Sequence, residues 1–131
     1  MRVQQIMLWI LRIIAAGILL QALRFKFTAD AETVYIFSKL GMEPWGRIGA
    51  GIVELIAAVL ILIPRTTAWG ALAALIVMTG AIFFHLTTLD VSIMGDSGLL
   101  FYMAIIVWIC CAILFMVYRA QVLIKLHKLI G

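Results

Sequence analysis

Four long hydrophobic runs constrain the fold of this chain more than any other feature of its sequence. They cover about residues 3–24, 47–63, 68–87 and 99–118. Each is close to the roughly 20 residues that an α-helix needs to cross the hydrocarbon core of a bilayer. Because backbone N–H and C=O groups find no water in that core, each run is expected to be a helix. The runs predict an all-α, polytopic four-helix membrane bundle that forms a single domain over residues 1–131.

The composition excludes the two other broad classes of chain. Only ten Lys and Arg and six Asp and Glu occur in 131 residues, of which 66% are hydrophobic. Soluble domains carry about 25% charged residues and roughly 45–50% apolar ones. These charges are too few to solvate the surface of a soluble domain, and the hydrophobicity is too high for a disordered chain. We therefore expect the lipid bilayer as the environment of the whole chain.

The only substantial loop precedes the second span and is predicted to contain a short helix. Residues 29–40 begin with Asp30, a good N-cap, and are followed by Gly41, which can end a helix. The expected apolar side of this helix consists of Val34, Tyr35 and Phe37. We expect it to lie half-buried over one mouth of the bundle.

Two turns and a tail complete the architecture. Pro64-Arg65-Thr66 predicts a tight hairpin between the second and third spans, and Asp96-Ser97-Gly98 predicts a cap for the fourth. The tail at residues 119–131 alternates Val122, Leu126 and Leu129 with lysines, which is typical of an amphipathic helix in the membrane interface. A plain continuation of the fourth span is the alternative.

The distribution of charge predicts the orientation. Four spans place both termini on one side, and Arg12 within the first run argues against a cleaved signal peptide. The terminal side carries basic residues and no acid: Arg2, Arg65, Arg119, Lys125 and Lys128. The positive-inside rule therefore favours cytoplasmic termini. The net charge of +4 then reflects topology and anionic lipid headgroups, and no nucleic-acid partner is expected.

Glu54 is the most informative charge within a predicted span. Its neighbours three and four residues away share its helix face, and all are small: Ala50, Gly51, Ala57 and Ala58. Small residues let a neighbouring helix approach closely, so Glu54 is expected to point at that helix rather than at lipid. Charged groups in a span are costly and commonly face the interior of the bundle.

Several polar groups are expected to converge near Glu54 on the loop-rich side. Helical side chains lean toward the N-terminus of their helix, which brings Glu54 toward His85 near the end of the third span. Arg24 and Lys26 end the first span on the same side. We predict a ligand-binding cluster there, lined by the aromatic residues Phe25, Phe27, Trp45 and Phe84. A structural ion pair and headgroup anchors are the alternative interpretation of the same charges.

Arg12 lies deeper in the first span and is included in this candidate cluster. It would reach Glu54 only across an axial offset of about 9 Å, at 1.5 Å of rise per residue. The alternative is that its long side chain extends to the cytoplasmic interface.

Other chemistries are not favoured by the sequence. Cys110 and Cys111 are adjacent and form no C-x-x-C pair, so thiol–disulfide exchange lacks its reactive motif. His85 and His127 fall on opposite sides of the membrane, which disfavours a haem with two histidine ligands. No phosphate loop, metal motif or internal repeat of the kind found in transporters occurs. We expect no metal and no intrinsic cofactor.

In its order of features the chain resembles the DoxX family of small four-helix membrane proteins. The resemblance covers about residues 5–115. Its features are Arg12 with Gly17, the exit Arg24-Phe-Lys-Phe27, Phe37 to Gly41 with Pro44, Gly49-Ala-Gly-Ile-Val-Glu54-Leu before Pro64, and Met78, Ala81 and His85. The basic exit departs from the glycine-lysine-leucine pattern that is more frequent in the family. On this match Arg12, Lys26, Glu54 and His85 stand at recurrent polar positions.

The resemblance implies a function more weakly than it implies a fold. The family takes its name from a subunit of a thiosulfate:quinone oxidoreductase, and other members resemble components of redox-stress complexes or receptor-assembly chaperones. From the polar cluster and its aromatic neighbours, the first hypothesis is a membrane subunit in the bacterial cytoplasmic (inner) membrane that binds quinone or a similar isoprenoid lipid in support of a redox partner. The alternative is a non-enzymatic scaffold or assembly chaperone. A membrane-protein partner and a homo-oligomer are both compatible with the small helix faces, and catalysis stays open.

Overall fold

The computed structural model describes residues 2–28, 31–43, 45–87 and 98–130, apart from the side chains of residues 25, 31, 32, 99 and 100. The described residues form six α-helices and one turn of 3₁₀ helix. These are α1 (Arg2–Phe27), α2 (Ala31–Lys39), α3 (Trp45–Leu62), the 3₁₀ turn Pro64–Thr66, α4 (Thr67–Thr87), α5 (Leu99–Tyr118) and α6 (Ala120–Ile130).

Four of these helices, α1, α3, α4 and α5, are long and apolar enough to cross a membrane. They pack in a ring in which α1 contacts α3, α3 contacts α4, α4 contacts α5 and α5 contacts α1. Successive spans run in opposite directions, as in other up-and-down helix bundles. The predicted all-α membrane bundle with a short helix between the first two spans is confirmed.

Small side chains fill the centre of the bundle. The fully or almost fully buried alanines are Ala15, Ala16, Ala57, Ala58, Ala68, Ala71 and Ala74. Large apolar residues such as Ile6, Ile56 and Ile76 instead lie on the outer surface, where lipid tails would contact them. Lipid tails are as apolar as these side chains, so close packing of small residues holds such helices together.

The α3–α4 hairpin forms where Pro64 ends α3. Thr66 Oγ1 donates to the Leu60 carbonyl at 2.9 Å, and Thr67 Oγ1 donates to the Ile63 carbonyl at 3.0 Å. These hydroxyls satisfy carbonyls that the end of α3 leaves without an intrahelical partner. The tight turn predicted at residues 64–66 is present as the 3₁₀ turn.

Gly41 ends α2 as predicted. Its φ is 74°, in the left-handed region, and its N–H donates to the Ser38 carbonyl at 3.1 Å. The N–H of Met42 donates to the Phe37 carbonyl at 2.8 Å. Together these bonds form a Schellman motif. The predicted cap residues Asp30, Asp96 and Ser97 lie outside the described residues.

The apolar side of α2 differs in part from the prediction. Residues Thr33, Ile36, Phe37 and Leu40 face the bundle, whereas Tyr35 is exposed and was wrongly placed on that side. The observed spacing of three, four and seven residues is that of one helix face. Of the three predicted residues, Phe37 lines the cavity, Val34 is half-buried and Tyr35 is exposed.

The tail forms a separate helix, because α5 ends at Tyr118 and α6 begins at Ala120. Gln121 anchors its first turn to the α3–α4 hairpin. The Gln121 Nε2 donates to the Pro64 carbonyl at 2.7 Å, and its Oε1 accepts from the N–H of Ala68 at 3.0 Å. Val122 is buried beside it. Arg119 between the two helices has helical dihedral angles (φ −55°, ψ −25°), so the break between α5 and α6 is a single residue.

Candidate functional site

A cavity of about 580 Å³ lies beneath α2, between the loop-side halves of the four spans. Its walls are largely apolar, and five polar side chains interrupt them: Gln21, Lys26, Thr33, Glu54 and His85. This size is within the range of about 300–1,000 Å³ that is usual for small-molecule sites. A few polar groups in an apolar wall can orient an amphipathic ligand.

Lys26 and Glu54 form an ion pair in the wall of this cavity. Lys26 Nζ lies 2.9 Å from Glu54 Oε2, and the two side chains are 16% and 3% exposed. At this distance the Lys26 ammonium is the direct partner of the buried Glu54 carboxylate. A buried charge is costly unless it is paired, and each member of this pair supplies the countercharge of the other.

The small face of α3 explains how Glu54 reaches Lys26. A Cβ placed on Gly51 would lie 2.9 Å from the Phe27 ring and 3.6 Å from the Lys26 Cβ, so α1 packs closely against this face of α3. The neighbouring helix inferred from the small residues around Glu54 is α1. The sequence thus predicted correctly that Glu54 points at another helix.

Arg47 holds the end of α1 in place, one turn before Gly51. This buried guanidinium donates to Glu43 Oε1 at 2.8 Å and also donates to the Lys26 carbonyl. The second bond fixes the backbone that carries the Lys26 side chain. Sequence reasoning did not assign Arg47 to the site, although it lies seven residues before Glu54 and therefore on the same helix face.

His85 lies on the opposite wall, near the end of α4. It is buried, lines the cavity and packs with its ring centroid 5.5 Å from that of Phe101. The structure thus brings three of the predicted polar residues, Lys26, Glu54 and His85, to one cavity. Their part in binding a ligand stays a prediction.

Of the other residues predicted for the site, some line the cavity and some do not. Trp45 and Phe84 line the cavity. Phe27 does not line it and packs instead over Gly51, and the side chain of Phe25 lies outside the described part of the structure. Arg24 is exposed and is not part of the cavity wall.

Arg12 lies at the opposite end of the bundle and does not join this cluster. Its Nε donates to the Ile61 carbonyl at 2.8 Å and its Nη2 to the Leu62 carbonyl at 2.7 Å. The guanidinium carbon also lies 3.7 Å from the ring centroid of Trp9. The side chain is 2% exposed and is held at the hairpin end of α3, so it does not pair with Glu54. The carbonyls at the end of α3 carry partial negative charge and attract it instead.

Two polar residues of the cavity, Gln21 and Thr33, were missed from the sequence. Thr33 shares the inward face of α2 with Ile36 and Phe37, and the spacing of these residues could have identified it. Gln21 stands near the end of the first span without a comparable signal.

The structure also locates the residues considered for other chemistries. Cys110 and Cys111 are both buried thiols that form no disulfide. Gly70 and Ala74 are two small residues four apart, a spacing that can serve helix dimerisation, but both are buried within the bundle and Gly70 packs against the end of α3. Among the residues that the structure describes, no three His, Cys, Asp or Glu side chains are grouped so that they could hold a metal.

Comparison with known proteins identifies the family. No curated protein and no solved structure matches the chain. The profile of the DoxX-like family matches residues 10–113, a range that includes the second and third predicted spans, most of the first and fourth, and all five polar residues of the cavity. The match also confirms the resemblance seen in the sequence. The chain, an integral membrane protein with four spanning helices, therefore belongs to the DoxX-like family.

Proposed function

We propose that this protein is a membrane subunit that binds a quinone or a similar isoprenoid lipid beneath α2, in support of a redox partner. The observation that carries the proposal is the Lys26–Glu54 pair, which is withdrawn from solvent yet lies in the wall of an apolar cavity. Charged side chains within the membrane cost free energy and commonly mark a functional site.

The chemistry of a quinone head matches this wall. The head is a flat apolar ring with two carbonyl oxygens that accept hydrogen bonds. The Lys26 ammonium can donate to one of them, while Trp45 and Phe84 offer aromatic surface to the ring. Arg24 is assigned no such role, because its side chain is not part of the cavity wall.

The same groups suit the proton and charge changes of quinone reduction. A quinone becomes a quinol by taking up two electrons and two protons. The positive charge of Lys26 would stabilise an oxygen anion that develops on the way, and Glu54 and His85 would exchange protons with it. We assign the electrons to a partner protein that carries a redox centre.

We propose further that the protein lies in a bacterial inner membrane with cytoplasmic termini. The end of the bundle that carries the termini has five Lys and Arg residues and the other end has four, so the positive-inside rule favours cytoplasmic termini. The cavity would then lie in the periplasmic half of the bilayer. Reporter fusions at the C-terminus test this orientation, and a periplasmic signal would contradict it.

The test of ligand binding compares Glu54→Gln and the double variant Lys26→Met/Glu54→Gln with the parent protein in detergent. Binding of a quinone is followed by quenching of tryptophan fluorescence, and native mass spectrometry reports bound lipid or quinone. Hydrogen bonds to charged groups contribute about 1.5–3 kcal/mol, so each variant should lose about ten-fold or more in affinity. Lys39→Met, at an exposed lysine on α2, is the matched control and should bind as the parent does. Unchanged affinity in both cavity variants would refute the proposal.

A non-enzymatic scaffold or assembly partner is the second candidate. It is favoured by Arg12 and Arg47, two buried arginines that bond to the protein's own backbone and do not line the cavity. On this alternative the Lys26–Glu54 pair is structural too. Glu54→Gln would then mainly lower thermal stability, and a membrane protein would co-purify in mild detergent. The lack of a stoichiometric partner in such a pulldown would contradict it.

A further inference from the structure

Helices α3 and α4 touch backbone to backbone next to their hairpin. A Cβ placed on Gly70 would lie 2.6 Å from the Ile61 nitrogen and 2.7 Å from the Ala57 carbonyl oxygen. Ala57 and Ile61 are fully buried. At this end the seam between the two helices leaves no space for a lipid chain.

The same faces border empty space farther along the two helices. Val77 lies seven residues after Gly70, and Ala50 lies seven residues before Ala57, so each pair shares one face of its helix. Val77 and Ala50 both line the cavity. The two helices therefore diverge from a direct backbone contact at the hairpin to a cavity at the loop-rich end.

This space extends to the outer surface of the bundle. Trp45 on α3 and Ile76 on α4 line the cavity, yet each is 66% exposed. Gly49 and Gly80 stand one turn farther along and also line it. A Cβ on either glycine would meet no atom within 4 Å outside its own stretch of helix, within the described part of the chain.

We infer that the cavity opens sideways to the bilayer between α3 and α4, through an opening bordered by Trp45, Gly49, Ile76 and Gly80. The polar pair Lys26–Glu54 lies on the side of α3 that faces α1, away from this opening. A ligand that enters here places its polar head inward and leaves an apolar tail among the lipid tails. The opening thus selects a membrane-dissolved amphiphile with a long hydrocarbon chain. The nature of the head rests on the proposed function.

The position of α2 agrees with entry from the membrane. Its residues Ile36, Phe37 and Leu40 line the cavity at the end that faces the loops. Three large apolar side chains there separate the cavity from the aqueous side. A tail that stays in lipid also needs no burial by the protein, so a cavity of about 580 Å³ suffices for the head and the first part of the tail.

Glycine substitutions at the opening test this route in the full-length protein. Gly49→Leu and Gly80→Leu place a side chain in the opening, whereas Gly17→Leu is the matched control. Gly17 also has open space around its Cβ position but does not line the cavity. Affinity is measured for two quinone probes. Both have a dimethoxy-methyl-benzoquinone head, and only one of them carries a decyl tail. We expect at least a ten-fold loss of affinity for the tailed probe in both opening variants. The tailless probe should change less than two-fold, and Gly17→Leu should change neither.

An equal loss for both probes, or no loss for either, would overturn the lateral opening. A second measurement does not depend on quinone: the protein is placed in nanodiscs whose phospholipids carry a photoreactive group on the acyl chain. Labelling of the peptide that contains Ala50 or Val77, reduced in Gly80→Leu, supports the opening even if no quinone binds and the proposed function fails. Labelling near Gln21 alone, between α1 and α5, would show that the cavity meets the bilayer elsewhere and would overturn the inference.

Discussion

Lys26 Nζ lies 2.9 Å from Glu54 Oε2, and this contact joins the last turn of α1 to the middle of α3. Arg47 strengthens the same junction, because it donates to the Lys26 carbonyl from the face of α3 that carries Glu54. The pair has two consequences. It positions an ammonium and a carboxylate at the wall of the cavity, and it makes each charge dependent on the other for its stability.

Lys26→Met should destabilise the protein strongly. The substitution leaves the Glu54 carboxylate buried without a countercharge, and breaking a buried pair in this way costs about 3–5 kcal/mol. The double variant Lys26→Met/Glu54→Gln removes both charges and should recover most of that loss. Thermal unfolding in detergent, followed by tryptophan fluorescence, measures both effects. A double variant as unstable as Lys26→Met would show that the ion pair is not the origin of the loss.

Arg12→Lys should lower stability and leave ligand affinity unchanged. Lysine keeps the charge but cannot donate from a planar fork to the Ile61 and Leu62 carbonyls together, and it loses the stacking on Trp9. A loss of about 2 kcal/mol in unfolding free energy is expected from one charged hydrogen bond. Arg65→Lys, at an exposed arginine in the same hairpin, is the control. Weaker quinone binding in Arg12→Lys at unchanged stability would instead place Arg12 in the site.

The hydrogen-bond partners of Arg12 and Arg47 could not be predicted from residue types. The four spans and the direction of Glu54 follow from run lengths and from the small residues around it, both of which are visible in the sequence. Arg12 and Arg47 bind backbone carbonyls, at the end of α3 and at Lys26. A search for oppositely charged side chains misses such partners, because every residue carries a carbonyl and only the fold shows which ones are accessible.

Helix geometry alone could have predicted that Arg24 and Lys26 point in different directions. Two residues that are two apart on a helix point about 200° away from each other. Only one of them can face the interior, and the structure places Lys26 there while Arg24 is exposed. The sequence could have predicted that the pair divides, although not which member faces inward.

Gln121→Ala should loosen the first turn of α6 without unfolding the bundle. It removes one bond to the Pro64 carbonyl and one from the Ala68 N–H, and a typical net contribution is about 1 kcal/mol per hydrogen bond. Hydrogen exchange should become faster at the Ala68 amide and across α6, while the core of α4 stays protected. Gln4→Ala, at an exposed position in α1, is the control. Unchanged exchange at Ala68 would contradict an anchoring role for Gln121.

Gly70→Ala and Gly80→Ala should differ sharply although both glycines lie on α4. At Gly70 the added methyl would stand 2.6 Å from a backbone nitrogen of α3, which no side-chain rotation can relieve. Forcing extra volume into a packed interface costs about 1–3 kcal/mol, so Gly70→Ala should unfold at a clearly lower temperature. At Gly80 the methyl enters open space, and the stability of Gly80→Ala should stay within about 1 kcal/mol of the parent.

Thermal unfolding of the two alanine variants under identical detergent conditions measures this difference, with Gly17→Ala as a second position in open space. The comparison also tests whether α3 and α4 are in contact at the hairpin end and apart at the loop-rich end. Destabilisation of Gly80→Ala as large as that of Gly70→Ala would mean that the helices are in contact along their whole length. A seam of that kind has no lateral opening, and the cavity would then be reached only from beneath α2.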